Sequence, residues 1–370
     1  RVRSLRAGLL MALVLSSTAC LDVGDERAER DATVGKASDG DARIVVANGL
    51  AAVRRFKQRD VVLWGQAPQL SWSLKTADKN QVWRIEVLNI VRGAELRIRE
   101  KDGAETLQKR AETPRVTAGV WTPTPQANTD YTMTLASPGA GQVRPFRFLV
   151  FADVQEAIDG VKDIYESMNL ETDAEFCLIS GDLTMNGTQA EFDRFEKELE
   201  RSLIPCFATL GNHDVAERET AWHDRFGRGN FSFEHRGTRF TLLDSASATL
   251  SPKVWPWLDG WLAAAREQPH LVMMHIPPLD VDGARSGAFA SRGEAHQLLT
   301  KLAKGGVDLT VYGHVHTYAS FTNAGIPAHI SGGGGSIPMA LDGIGRHFLS
   351  VTVSPKNQRF RVAVIRVYPQ

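Results

Sequence analysis

The sequence has no excess of charge of either sign, because its 43 Lys and Arg residues are balanced by 43 Asp and Glu residues. It therefore lacks the cationic field that holds a phosphate backbone, and we expect no general nucleic-acid binding. Its three cysteines are too few for a disulfide scaffold and lack the CxxC spacing of zinc modules. An apolar content of 43% predicts a globular chain, and a length of 370 residues predicts about two domains.

The one strongly apolar run lies near the beginning of the chain and is too short to cross a bilayer. Three arginines precede the apolar residues 7–15, and small residues lead up to Cys20. This pattern is typical of an export signal, and the cysteine resembles the lipidated residue of bacterial lipoproteins. Residues 1–20 thus predict an exported protein, periplasmic or at the cell surface, whose only membrane attachment is a lipid on Cys20. Cleavage nearby without lipidation, which leaves a soluble exported protein, is the alternative.

Two composition changes follow the export signal. Residues 21–42 are rich in charged residues, glycine and alanine and have almost nothing to bury, so we predict a flexible linker there. In residues 43–145 apolar and polar residues alternate, as in 83–87 and 131–135, and this period predicts strands with one buried face. We expect a small all-β sandwich of antiparallel strands, similar to immunoglobulin or fibronectin domains. It would support or orient the next domain, with carbohydrate binding as an alternative.

After residue 145 the pattern changes to short apolar runs that end in polar residues and are followed by amphipathic helices. This alternation predicts a mainly parallel sheet. One helix is expected to begin after Thr188, which forms a capping box with Glu191, and another to run from Ser291 to Gly305. Ligands of open α/β sheets bind beyond the carboxyl ends of the strands. The polar residues at the ends of the runs are therefore the candidates for a site.

Five of these runs end in side chains that bind metal ions. Each has an ordinary explanation on its own, since Gly-Asp is a common turn and a single histidine is more often a hydrogen-bonded polar residue than a ligand. Together they converge on one edge of the predicted sheet, and their carboxylate, amide and imidazole groups suit one or two divalent metals. In chain order they are Asp153 with Gln155, Asp182, Asn212 with His213 and Asp214, His275, and His314 with His316.

The order D-x-Q, GD, GNHD, H and GHxH over residues 146–335 resembles that of the calcineurin-like metallophosphoesterase superfamily. The resemblance implies an α/β fold of four layers, α/β/β/α, formed by residues 146–370 behind the small all-β domain. It also implies an enzyme that hydrolyses a small-molecule or lipid phosphoester, diester or monoester, with a hydroxide that bridges two divalent ions of Fe, Mn or Zn. The alternative is a metal-stabilised, catalytically silent binding or scaffold protein of the cell envelope.

The resemblance further implies two sets of metal ligands that share one carboxylate, and the two oxygens of a carboxylate can bridge ions ~3.5–4 Å apart. The first set consists of Asp153, Gln155, Asp182 and His316. The second set consists of Asp182, Asn212, His275 and His314. His213 matches the substrate-facing histidine of the family and Asp214 its buried partner, which makes these two the predicted catalytic residues.

Two positions depart from the family pattern. Gln155 stands where many members have His, and its amide oxygen is a harder and weaker ligand, so the first metal is expected to bind less tightly than the second. The alternative is that Gln155 only hydrogen-bonds a metal-bound water. Met185 stands where the purple acid phosphatase branch has a tyrosine ligand, so no tyrosinate-to-iron chromophore is expected.

Two smaller features leave alternatives open. The glycine run 332–335 either passes near a bound phosphate or lets two backbones pack closely. Cys177 and Cys206 lie in runs that end at neighbouring motifs, and buried free thiols are favoured over a disulfide between them.

Overall fold

The structure is a computed structural model that describes residues 19–77, 80–101, 103–215, 221–281, 283, 287–339 and 342–368. The apolar run 7–15 of the predicted export signal lies outside the described residues, so export and the lipidation of Cys20 stay predictions. Within the described part of the chain, no helix combines the length and the apolar character that crossing a membrane requires.

Most of residues 21–42 belongs to regular secondary structure, so the predicted flexible linker is wrong. Helix α1 (Ala19–Asp31) comes first, and strand β1 (Lys36–Asp39) follows it after a short turn. The apolar content of this segment is as low as the composition indicated, and its buried apolar residues among those described are Ala28, Val34 and Ala42. The segment is attached by polar contacts instead.

Two buried charged side chains attach α1 to the second half of the chain. Arg27 donates through Nε to Asp244 Oδ2 at 2.6 Å, and both side chains are almost fully buried. Asp31 accepts hydrogen bonds from the backbone N–H groups of Gly229 and Asn230 at 2.8 and 3.0 Å. The partners lie about two hundred residues away in the sequence, and composition alone does not reveal such pairs.

Strands in the first part of the described chain form two sheets. After β1 these strands are β2 (Ala42–Val46), β3 (Ala51–Lys57), β4 (Asp60–Gly65), β5 (Leu70–Lys75), β6 (Arg84–Leu88), β7 (Glu95–Glu100), β8 (Glu105–Leu107), β9 (Ala118–Trp121) and β10 (Asp130–Ala136). The sheet orders are β1-β2-β5-β10-β7-β8 and β3-β4-β6-β9. Alternate side chains such as Ile85 and Val87 are buried, as the sequence period predicted for strands with one buried face. The pairing of β4 with β6 is parallel, however, and not antiparallel as expected.

The second part of the described chain adds two more sheets and five helices. The strands are β11 (Phe146–Phe151), β12 (Ala174–Ile179), β13 (Cys206–Ala208), β14 (Phe231–His235), β15 (Thr238–Leu243), β16 (His270–Met274), β17 (Leu309–Tyr312), β18 (Tyr318–Asn323), β19 (Ile326–Ser331), β20 (His347–Ser354) and β21 (Arg359–Arg366). The helices are α2 (Lys162–Met168), α3 (Gln189–Leu199), α4 (Ala221–Arg225), α5 (Val254–Ala264) and α6 (Arg292–Lys304). Both predicted caps are present, at Thr188 for α3 and at Ser291 for α6.

These elements stack in four layers. The sheet orders are β13-β12-β11-β20-β21 and β14-β15-β16-β17-β19-β18. Strands β13, β12 and β11 are parallel, and so are β15, β16, β17 and β19, whereas β20 and β21 add antiparallel pairs to the first sheet. In β11, Phe148 lies in the core between the sheets, whereas its neighbour Leu149 packs with residues of α2 and α3. In β16, Met273 faces the same central core and Val272 packs with residues of α5 and α6. The predicted α/β/β/α order is therefore confirmed.

The β domain contacts the chain on both sides of the GNHD segment through two side-chain amides. Asn89 donates through Nδ2 to the carbonyl of Cys206 at 2.8 Å and accepts from its N–H at 2.9 Å, as a neighbouring strand would. Gln66 makes the same two-way contact with the backbone of Arg228, at 2.8 and 2.7 Å. The β domain thus supports the segment that carries Asn212 and His213.

The two cysteines Cys177 and Cys206 are free and buried, in agreement with the favoured interpretation. They stand opposite each other in register on the neighbouring strands β12 and β13. Burial and the neighbouring Cys206 raise the pKa of the Cys177 thiol well above its ordinary value. Cys177 is therefore an unreactive core residue.

We predict that Arg27→Ala lowers the free energy of unfolding by ~3–5 kcal/mol, because it leaves the buried Asp244 carboxylate without its cationic partner. Urea unfolding followed by circular dichroism measures this change. Glu29→Ala is the matched control on the same helix, since Glu29 pairs with Lys253 on the exposed surface and such pairs contribute at most ~1 kcal/mol. Equal losses in the two variants would contradict the attachment of α1 through Arg27.

Candidate metal centre

The predicted ligands meet where strands of both central sheets end. Asp153 and Asp182 follow β11 and β12 of one sheet, and His275 and His314 follow β16 and β17 of the other. Two groups of three residues each place their ligand atoms within 4.8 Å of one another. One group is Asp182, His275 and His314, and the other is Asp153, Asp182 and His316. Asp182 belongs to both groups, as the bridging role requires.

Asp182 is fully buried and holds its charge through its neighbours. Its Oδ2 lies 3.2 Å from Nε2 of His275, and its Oδ1 accepts from the backbone N–H of His213 at 2.9 Å. Burial disfavours the carboxylate, but His275 and His213 outweigh burial and hold the pKa of Asp182 well below its usual range. Burial likewise disfavours the imidazolium of His275, yet Asp182 and Asp153 raise its pKa to about 9. The neighbours of Asp182 thus keep this carboxylate ionised.

Asp153 contacts the GHxH segment. Its carboxylate oxygens accept from the backbone N–H of His314 at 3.1 and 3.0 Å. Nε2 of His316 lies 3.6 Å from Asp153 Oδ1. Since Asp153 is fully buried, this arrangement ties the strand ends of the two sheets together through one carboxylate.

Four of the predicted ligands have left-handed backbone conformations. The φ angles are 64° at Asp153, 45° at Gln155, 55° at Asp182 and 70° at His314. Such angles cost of order 1 kcal/mol or more for residues with a Cβ, and they persist where surrounding contacts over-determine the backbone. Strain of this kind gathers at functional sites, where it aims side chains that regular strands would direct elsewhere.

Glycines allow the two carboxylates to lie against the backbone. A Cβ on Gly211 would lie 2.0 Å from Asp182 Oδ1, and a Cβ on Gly332 would lie 2.9 Å from Asp153 Oδ2. A Cβ on Gly334 would lie 2.3 Å from the carbonyl oxygen of Ala152. The glycine run therefore serves the close packing of backbones around the site, which is the second of the two interpretations given for it.

Three histidines are oriented by backbone carbonyls that the sequence did not reveal. Each ring uses Nδ1 to contact a carbonyl oxygen at 2.7 or 2.8 Å, which fixes the proton on Nδ1 and leaves Nε2 for the site. Every residue type has a carbonyl, so no sequence signal could have found these partners. The pairs are His275 with Ser180, His316 with Ile337, and His213 with Met185.

Asp214 has a different part from the one predicted. Its buried carboxylate accepts from the backbone N–H groups of Leu183, Thr184 and Gly211 and from the Thr184 hydroxyl. In the contacts of the described residues, Nδ1 of His213 is held by Met185 and not by Asp214. Asp214 is therefore a positioning residue that joins the GD and GNHD loops, which corrects the predicted pairing with His213.

The two amide residues also reach the site. Asn212 places Oδ1 3.1 Å from Nε2 of His275. Gln155 donates through Nε2 to Asp182 Oδ2 at 2.5 Å, and its Oε1 accepts from Ser336 at 2.8 Å. Asn212 thus contacts His275 of the second ligand set, whereas Gln155 contacts Asp182, which both sets share. Ligation through Oε1 requires the Gln155 amide to turn over and give up its contact with Ser336.

The residues present fit a pair of divalent cations. Asp153 and Asp182 are fully buried carboxylates, and buried charges in proteins are paired or coordinate metals. Neutral nitrogen and oxygen donors surround them, a mixture that suits borderline divalent ions. Asp182 belongs to both groups of ligand atoms and would supply the bridge that two adjacent ions need.

Residues 146–318 match the model of the calcineurin-like phosphoesterase family. This match covers the strands and loops that carry all nine predicted site residues, from Asp153 to His316. It lies within the four-layer part of the fold and does not include the β domain.

Two curated relatives are similar to part of the calcineurin-like phosphoesterase region. A 3',5'-cyclic-nucleotide phosphodiesterase of Nostoc sp. is 26% identical over 157 residues, which are 40% of this chain and 58% of the relative. A relative from Arcobacter nitrofigilis, named as a probable glycerophosphodiester phosphodiesterase, is 27% identical over 30% of this chain and 45% of its own length. The chain thus spans about half the length of these relatives. The names of both relatives, like that of the matched family, refer to phosphoesterases.

A solved structure resembles the described fold over a larger share of the chain. The purple acid phosphatase from yellow lupin seeds superimposes with a TM-score of 0.51, covering 82% of this chain and 72% of the lupin chain. At 14% identity this likeness concerns the fold alone. Because 82% is more than the share of residues 146–370, the superposition includes part of the chain before residue 146.

We predict that Gln155→His tightens the first metal site at least tenfold and that Gln155→Ala loosens it by a similar factor, a change of ~1.4 kcal/mol each. Imidazole nitrogen is the better ligand for borderline ions, and alanine supplies no donor. Metal dissociation constants of both variants and of the native protein, measured at one pH by competition with a chelator, test this prediction.

Ser336→Ala is the matched control for Gln155, because it removes the hydroxyl that holds the Gln155 oxygen and leaves the amide in place. If Gln155 ligates the metal, this variant binds metal as tightly as the native protein or more tightly. Overlapping constants for all four proteins would contradict ligation by Gln155.

Proposed function

We propose that this chain hydrolyses phosphoesters, phosphodiesters above all, at a centre of two divalent metal ions. The observation that carries the proposal is the position of Asp182 in two adjoining groups of buried ligand atoms. When bound, two such ions acidify a water molecule and polarise the phosphoryl oxygens. The family match and the names of the relatives support the same reaction class.

The ligand side chains set the charge of the centre in the proposed reaction. Asp153 and Asp182 supply the negative charge that keeps the cations in place, and the neutral ligands leave the centre with net positive charge. A centre of this kind attracts a phosphoester and stabilises the charge that grows on the phosphorus oxygens in the transition state. The layered fold fixes these groups before substrate arrives, so little reorganisation is needed during the reaction.

His213 is the proposed proton donor to the leaving oxygen. The carbonyl of Met185 holds Nδ1 at 2.8 Å, and the backbone N–H of His213 donates to Asp182. These two contacts support a position of the ring beside the metal centre, with Nε2 available for substrate. His213 is also only partly buried, unlike the ligand His275, so a substrate in solution can reach it.

A phosphodiester substrate is favoured over a monoester by the names of the relatives, which refer to cyclic nucleotides and glycerophosphodiesters. We also propose that the protein is exported and held at the cell envelope by a lipid on Cys20. The basic, apolar and small residues that precede Cys20 support this location.

We predict that Asp182→Ala lowers the metal content from about two ions per chain to one or none and abolishes hydrolysis, because no other carboxylate is shared by the two ligand groups among the described residues. Mass spectrometry of metals and a panel of mono- and diesters with Mn, Zn, Fe and Ni measure the two effects. Asp159→Ala, which removes an exposed carboxylate of the same domain, is the control and keeps both the metal content and the activity.

Two tightly held ions in Asp182→Ala would contradict the bridging role of Asp182. If the native protein turns over no phosphoester with any metal, the catalytically silent binding protein replaces the enzyme.

His213→Ala is predicted to keep both metals and to lower kcat by ~10²–10⁴, the usual contribution of a positioned proton donor. The loss depends on the leaving group. A p-nitrophenyl diester needs little protonation of its leaving oxygen and loses much less rate than an alkyl diester. Equal losses for the two substrates would show that His213 positions the phosphate and does not donate the proton.

A further inference from the structure

Large aliphatic side chains are exposed on the loops around the metal centre. We use the name apolar rim for this set, whose exposed fractions range from 38% to 72%: Met185, Leu279, Val281, Ile337 and Met339. They come from three separate loops, which follow the GD motif, His275 and the glycine run. Isolated exposed apolar residues are ordinary, but several on loops that border one site point to a binding surface.

Two rim residues are joined directly to site histidines. The carbonyl oxygen of Met185 is 2.8 Å from Nδ1 of His213, and that of Ile337 is 2.8 Å from Nδ1 of His316. The side chain of a residue begins about 3 Å from its own carbonyl oxygen. The exposed side chains of Met185 and Ile337 therefore stand at the border of the metal centre.

The loop with Leu279 and Val281 is held at the same place. Asp280 between them accepts hydrogen bonds from the backbone N–H groups of Gly283 and Gly287. A Cβ on Gly287 would lie 3.1 Å from the ring of His314, so this part of the loop packs on a site histidine. The two aliphatic side chains thus border the second ligand set.

The acidic group nearest Ile337 is used to order its loop. The carboxylate of Glu156 accepts from the backbone N–H of Ile337 at 2.9 Å and from the hydroxyl of Ser336 at 3.2 Å. The backbone of the rim is therefore fixed by hydrogen bonds while its aliphatic side chains face solvent. Exposing apolar surface on an ordered loop is unfavourable in the free protein and becomes favourable when a ligand covers it.

We infer that the apolar rim binds an aliphatic chain of the substrate, so that the natural substrate is a phosphoester with such a chain next to the phosphate. This inference rests on the proposed function. An aliphatic chain is favoured over a nucleobase because bases are held mainly by stacking on aromatic or arginine planes. The large apolar side chains that are exposed on the described parts of these three loops carry no aromatic ring.

The test is a series of p-nitrophenyl alkyl phosphodiesters with methyl, butyl and octyl groups, used below their micelle concentrations. The leaving group is the same throughout, so only the retained chain changes. A fully buried methylene raises binding about fourfold. Because the rim is open to solvent, we expect kcat/KM to rise at least tenfold from methyl to octyl. The p-nitrophenyl ester of thymidine 5'-phosphate, with the same leaving group, gives the comparison for a nucleoside.

The variants Ile337→Ser and Val281→Ser remove the most exposed aliphatic side chains of two loops. We expect each to lower the octyl-to-methyl ratio of kcat/KM at least threefold, and the thymidine-to-methyl ratio by less than twofold. Leu170→Ser is the matched control, since Leu170 is 80% exposed but precedes β12 at the opposite edge of the sheet. It leaves the octyl-to-methyl ratio unchanged.

A flat chain-length series in the native protein, or a series that the rim variants leave unchanged, overturns the inference. The inference is also overturned if the rim variants lower the thymidine-to-methyl ratio of kcat/KM as much as the octyl-to-methyl ratio. The rim would then bind any retained group and not an aliphatic chain in particular. In each of these cases the methyl diester is still hydrolysed and the proposed function stands. The absence of turnover for every ester, methyl included, would instead contradict the proposed function.

Discussion

The buried carboxylate of Asp182 is the group on which the rest of the site depends. Burial of a charge is costly unless other groups compensate it, and here the compensation comes from both sheets and the loops between them. His275 approaches from the second sheet, the N–H of His213 comes from the GNHD loop, and Gln155 comes from the loop after β11. Gly211 has no side chain, and only this absence leaves space for the carboxylate. The geometry of the centre is therefore a property of the packed layers and not of a single loop.

The β domain takes part in this arrangement at a distance. Its side chains Asn89 and Gln66 pair with the backbone on the two sides of the GNHD segment. Such two-way amide contacts substitute for the backbone of a neighbouring strand and leave few buried groups unsatisfied. Helix α1 supports the same region, because Asp31 binds the backbone of Gly229 next to Arg228. The segments before residue 146 thus stabilise the loop that supplies Asn212 and His213, although they contribute none of the predicted ligands.

The sequence predicted the fold and the metal ligands better than it predicted the residues that hold the ligands in place. Asp153, Asp182 and His275 could be found because an apolar run with a polar end is visible in one dimension, and parallel strands bring such ends together. The position of α1 could not be found, since Arg27 and Asp31 look like ordinary surface charges until their buried partners are known. The carbonyls of Ser180, Met185 and Ile337 gave no signal at all. The expected contact of Asp214 with His213 was wrong for a similar reason. Three of the four groups that donate to the Asp214 carboxylate are backbone N–H groups, which have no sequence signal.

The central claim is that two metal ions, bridged by one buried carboxylate, act together on a phosphoester. Titration of Mn²⁺ or Zn²⁺ into the metal-stripped native protein, with hydrolysis of bis(p-nitrophenyl) phosphate followed at each addition, tests it most directly. The account predicts little activity up to one equivalent per chain and a plateau at about two equivalents, because both ligand groups around Asp182 must be filled. A plateau at one equivalent, or hydrolysis that proceeds equally well without added metal in the presence of a chelator, would contradict the account.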